Sequence, residues 1–171
     1  VSEMMLHPRL PLPEGDRVVA IRAMNTITRV PEMRVMTSFL SWRQELETVE
    51  DLSAYEPFRA HVGSDERAED PVRGSRITAS AFRVARPPPL LGRTLLEEDE
   101  RPGAPDVVVL GYDVWRSRLG SDPEVVGTTV LVDGTPRTVV GVMPKGFRFP
   151  FSDQVWVPLP VAAPSGGALE G

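Results

Sequence analysis

The chain has 171 residues, 41% of them hydrophobic, with no cysteine and a formal net charge of −5. That length suits one domain, or two small lobes sharing a chain, with a sizeable core. The missing cysteines exclude disulfides, thiol nucleophiles and thiolate metal sites, and the mild acidity argues against a nucleic-acid partner, which would meet a basic patch. No apolar run reaches the roughly 18 residues a transmembrane helix needs, and residues 1–13 lack the apolar stretch of a signal peptide. With Val1 in place of an initiator methionine, the start reads as that of a fragment.

Residues 1–15 contain prolines without periodicity and are expected to form a linker. A short strand is predicted at 17–22. The clearest helix follows, with Thr37 or Ser38 as its cap and with Phe39, Trp42, Leu46 and Val49 on one face. Arg43 and Glu47 stand four apart on its surface, and Leu52 and Tyr55 extend the buried ridge. Residues 55–86 read as strands and turns, with 59–62 and 71–77 pairing as a hairpin.

Pro87, Pro88 and Pro89 impose an extended segment. The acidic run from Glu97 to Glu100 reads as a solvated turn or helix start. Val107, Val108, Val109 and Leu110 form a continuous apolar run, the mark of a strand buried on both faces. A short helix is predicted from Tyr112 to Leu119, with Val114, Trp115 and Leu119 inward and Gly120 ending it in the left-handed region. Asp122, followed by Pro123, reads as a further helix start. Residues 128–132 and 137–142 flank Asp133-Gly134, the strongest hairpin signal in the chain. The final strand, 155–159, is expected at a sheet edge because it contains Pro158. Residues 160–171 are small and glycine-rich and are expected to form a flexible tail. The elements give an α+β fold of mixed strands and short helices.

The chemistry-bearing residues form no recognisable constellation. His7 and His61 are the only histidines, and neither has a partner at metal-ligand spacing. Four consecutive carboxylates point in several directions, unlike the spaced oxygens of a calcium loop. There is no G-x-S-x-G elbow, and no pair among the 24 acidic residues is marked out for glycoside hydrolysis. The glycines between 127 and 134 are explained by turn chemistry, not by a phosphate loop. No catalytic, cofactor-binding or metal residue is nominated, and no enzyme activity is expected. Trp42 and Trp115 are expected in the core. Phe147, Phe149 and Phe151, interleaved with Pro150, are candidates for an exposed patch.

From Leu90 to Leu159 the chain resembles the MacB-like periplasmic core domain of permeases in the macrolide-exporter and FtsX-like ABC transporter group. The resemblance is carried in order by Leu91-Gly92-Arg93, by Val107 to Trp115, by Asp122 to Gly127, by Val132-Asp133-Gly134, by Val139 to Phe147 and by Val155 to Leu159. Phe39 and Trp42 fit an earlier pattern of the same family more loosely. Three departures stand out: Gly111 where the family usually has serine, the proline-rich 87–89 segment, and a chain that stops short of the family's last strand–helix–strand portion. The resemblance implies an extracytoplasmic (periplasmic) domain set between the first and second membrane helices of a permease, with a membrane-proximal α+β lobe and a distal strand-rich lobe. It implies no chemistry and no cofactor in this domain, with ATP hydrolysed by a separate cytoplasmic ATPase. The partners it implies are the permease's own transmembrane helices and that ATPase, with a second permease copy and a periplasmic adaptor as further candidates. The alternative reading is a free-standing secreted module that binds a peptide or carbohydrate through Phe147, Phe149, Phe151 and Trp156.

Overall fold

The computed structural model describes residues 18, 35–45, 47–63 and 70–160. The linker expected at 1–15, the strand expected at 17–22 (Val18 apart) and the tail beyond residue 160 lie outside the described residues. Within them the chain runs α1 (Val35–Glu45), β1 (Tyr55–Ala60), β2 (Val72–Ile77), α2 (Ser80–Ala85), β3 (Leu91–Gly92), a 3-10 turn (Glu97–Glu100), β4 (Val107–Leu110), α3 (Tyr112–Arg118), β5 (Thr129–Val132), β6 (Thr135–Val142) and β7 (Val155–Pro158). All seven of these strands join one mixed sheet in the order β1-β2-β7-β4-β6-β3, with β5 also paired to β6. The α+β class is as the sequence reads.

The hairpin signals hold. β1 and β2 pair antiparallel from Tyr55 opposite Ile77 to Ala60 opposite Val72. β5 and β6 pair from Thr129 opposite Thr138 to Val132 opposite Thr135. Between them Asp133 and Gly134 both have positive φ, 50° and 72°, the backbone of a two-residue turn whose twist matches its strands. β4 is buried at all four positions. It lies between β6, parallel to it, and β7, antiparallel. Its side chains alternate between two apolar layers, Val107 and Val109 on one face, Val108 and Leu110 on the other.

The sheet curls until its ends meet. Val62, just past β1, bridges antiparallel to Val132 at the end of β5, although β1 begins the pairing order and β5 joins the sheet only through β6, three strands beyond β2. Valines of β4, β5, β6 and β7, among them Val132, Val139 and Val155, pack together with Val62 into the layer that α3 covers with Val114. The opposite layer contains Trp156, Phe147, Phe149 and Phe82 of α2.

Four local expectations are overturned. The first helix starts at Val35, so Thr37 and Ser38 lie inside it, and it ends at Glu45. Val49 is therefore exposed and Trp42 only partly buried, while Tyr55 opens β1. Second, residues 80–85 form α2, not a strand. Four of its six residues are buried, so so short a helix displays no amphipathic period. Third, Asp122 caps only an isolated turn, its carboxylate accepting from the Glu124 N–H at 2.9 Å. Fourth, β7 is central, between β2 and β4. Leu159 donates to the Ile77 carbonyl, so by alternation Pro158 turns its missing donor toward the β4 side. There the last paired residue is Trp156, and no ladder bond is lost.

Candidate functional site

The aromatic segment is built as core. Phe147 and Phe149 are buried, Trp156 is fully buried, and only Phe151 is exposed, at 40%. The Phe147 and Trp156 rings meet edge to face at 5.2 Å between centroids. The indole N–H of Trp156 donates to the Phe149 carbonyl at 2.7 Å. Even Phe151 packs edge-on against Tyr55 at 5.8 Å. This corrects the expectation of an aromatic patch. The alternation about Pro150 wraps the chain over Trp156, and burying large rings stabilises more than presenting them to solvent. The binding-module reading loses the surface it required.

The acidic run is a turn, as read, but half of it is not solvated. Asp99 and Glu100 are buried. Asp99 receives both guanidinium nitrogens of Arg93, at 2.7 and 3.0 Å, and the Leu96 N–H at 2.8 Å. Burial pushes its carboxyl up, but the Arg93 pair and the Leu96 bond outweigh burial and hold it below the ordinary value. Glu100 accepts from the Ala79 N–H just before α2, yet burial dominates and raises its pKa. The sequence signal for Asp99 is the spacing itself, an acid three residues after Leu96 that closes its own turn.

Above this turn α1 and α2 are tied by ion pairs. Glu97 receives Arg43 at 2.7 Å and Arg83 at 3.3 Å, and Arg83 also meets Asp51 at 2.8 Å. Arg43 thus reaches across the fold to Glu97, 54 positions away, and the expected pairing with Glu47 is replaced. An open cleft of about 420 Å³ lies beside the end of α2, lined by Phe82, Arg83, Arg86, Pro87 to Pro89 and Thr94.

The buried hydroxyls of Thr78 and Ser80 are committed to structure. Thr78 accepts from the Ala54 N–H at 3.0 Å, and Ser80 donates to the Leu52 carbonyl at 2.8 Å. A further buried acid, which sequence reasoning did not single out, is Asp153, 1% exposed. It accepts from the Phe151 N–H at 3.4 Å, and Arg73 stands 3.8 Å away. Burial raises its pKa against these partners. Among the described residues no group of three or more His, Asp or Glu side chains is placed to hold a metal ion. His61 stands beside Asp133, with Nδ1 3.6 Å from Oδ1, and His7 lies outside the described residues.

Two solved structures share the fold. The extracellular domain of the noncanonical ABC-type transporter YknZ from Gram-positive bacteria superposes with a TM-score of 0.55 at 16% identity, over 71% of this chain and 61% of that one. The periplasmic region of MacB from Actinobacillus actinomycetemcomitans gives 0.55 at 18% identity, over 71% and 55%. The chain thus spans under two thirds of either structure. No curated protein matches it in sequence. The model of the MacB-like periplasmic core domain matches residues 9–169, nearly the whole length, and the chain belongs to that family.

Proposed function

We infer that this chain is the extracytoplasmic domain of an ABC transporter permease, and that it couples motion of the membrane part, driven by a cytoplasmic ATPase, to substrates or partner proteins outside. The observation that carries this reading is the family match across residues 9–169. The layout of the described residues fits it. Polar side chains here close turns and join helices: Asp99 closes the turn at Leu96, and Glu97 meets Arg43 of α1 and Arg83 of α2. The rest of the permease, the ATPase, a second permease copy and a periplasmic adaptor are the proposed partners. The domain itself carries out no chemistry.

The test begins with the complete gene. One apolar run of about 20 residues before this segment and three after it would place the domain in a four-helix permease. Reporter fusions within the β5–β6 turn should then read as outside the membrane. Deleting residues 35–160 from the full permease should leave ATP hydrolysis but abolish its linkage to transport. A cytoplasmic reporter signal, or flanks without any membrane run, overturns the reading.

A further inference from the structure

Two buried side-chain oxygens, Ser75 Oγ and Asp153 Oδ1, have no hydrogen-bonding partner among the described residues. Ser75 is fully buried and Asp153 is 1% exposed. The two side chains are neighbours: burial raises the Asp153 pKa, and the Ser75 hydroxyl is among the groups that oppose the rise. The other carboxylate oxygen, Oδ2, accepts from the Phe151 N–H at 3.4 Å. Arg73 Nε stands 3.8 Å from Oδ1, too far for a direct hydrogen bond.

The backbone brings these groups to one place. Arg73 and Ser75 stand two apart in β2, on the same face of the strand. β2 pairs in parallel with β7 from Gly74 opposite Val155. Just ahead of that pairing the Gln154 N–H donates to the Arg73 carbonyl at 2.8 Å. Asp153 therefore comes alongside β2 as the chain enters β7. A buried oxygen without a partner is destabilising, and polar groups held slightly too far apart to bond directly are a usual setting for a bridging water.

The charges around the site select its ligand. The Asp153 carboxylate repels an anion, and the Arg73 guanidinium at 3.8 Å disfavours a cation. What fits is small and neutral, donates to Asp153 and accepts from Arg73, while the Ser75 hydroxyl serves either way. We propose that one water molecule binds between Ser75, Asp153 and Arg73 and joins β2 to the start of β7. Three protein partners are the usual complement of a buried water. Arg73 is 48% exposed, so its side chain marks the path by which this water exchanges with solvent.

Water–protein cross-relaxation on the whole labelled chain tests this. The protons of Ser75 and Asp153 should show cross-peaks to water with opposite signs in laboratory-frame and rotating-frame spectra, the mark of a water that stays longer than the molecule takes to tumble. The Val109 amide, on the strand buried at every position, should show none. Ser75→Ala removes the one hydroxyl that could relay solvent protons to the site, and the Asp153 cross-peaks should persist in it. Absence of the cross-peaks in the unaltered chain overturns the proposal, and so does their loss in Ser75→Ala. Resonances of these residues that shift and saturate with sodium chloride but not with choline chloride would overturn it in favour of a bound cation.

Discussion

Phe149 and Phe151 stand two positions apart in the sequence, and the structure separates them by burial. Phe149 is 6% exposed and Phe151 40%. Replacing Phe149 with alanine removes a buried ring beside Trp156 and should cost about 3 kcal/mol. Phe151→Ala should cost well under half of that, since 40% of its surface is already hydrated. Urea denaturation of the two variants makes the comparison, and a cost for Phe149→Ala as small as that for Phe151→Ala would restore the idea of a surface patch. The buried acids differ just as sharply. Asp153 carries a pKa raised by burial from its ordinary 3.8, so the folded state holds its proton more tightly than the unfolded chain does. Its contribution to stability therefore declines as pH rises from 3.8 through the raised value. Asp153→Asn should stabilise the domain at neutral pH, on the order of 1 kcal/mol, and the gain should vanish in acid. Thermal melts at both ends of that range measure it. Asp99 runs the other way. Its lowered pKa gives stability that is present above 3.8 and is lost as pH falls through the depressed value.

Elements meet where side chains are absent. β3 has two residues and reaches β6 through Gly92 opposite Gly141. A Cβ on Gly141 would collide with the Arg93 carbonyl, and one on Gly92, where φ is +64°, with the Val140 carbonyl. Gly141→Ala should therefore detach β3 and cost about 2 kcal/mol or more. Exchange of the Arg93 amide, which donates to Val140, should rise with it, while β4 stays protected. The β5–β6 hairpin and α3 were legible because their signals are local: a turn that needs two positive φ values, and a helix closed by Gly120 at φ 62°. α2 was not legible, because burial nearly all round leaves no period to read. The ends of α1 were misplaced for a related reason. Its docking rests on Phe39 against Ala54 and Leu159, contacts made far along the chain.

Across the whole molecule, stability should be graded from the centre of the sheet outward. β4 and β7 are paired on both sides and covered on both faces, so the Val109 and Trp156 amides should exchange only on global unfolding. The Val62–Val132 bridge and α1 should open locally and exchange sooner. Residue-resolved exchange settles the ranking, and amides beside that bridge as slow as those of β4 would contradict it. The sequence by itself determined the class, the family, the two hairpins and the doubly buried strand. Each of these rests on backbone chemistry or apolar pattern over a few adjacent residues. The tertiary structure decided which strand is central, which aromatics are core and where the sheet closes. Pro158 looks like an edge residue until the pairing of β7 with β4 is seen to end at Trp156. Val62 and Val132, 70 positions apart, become neighbours only once the intervening strands have twisted the sheet round on itself.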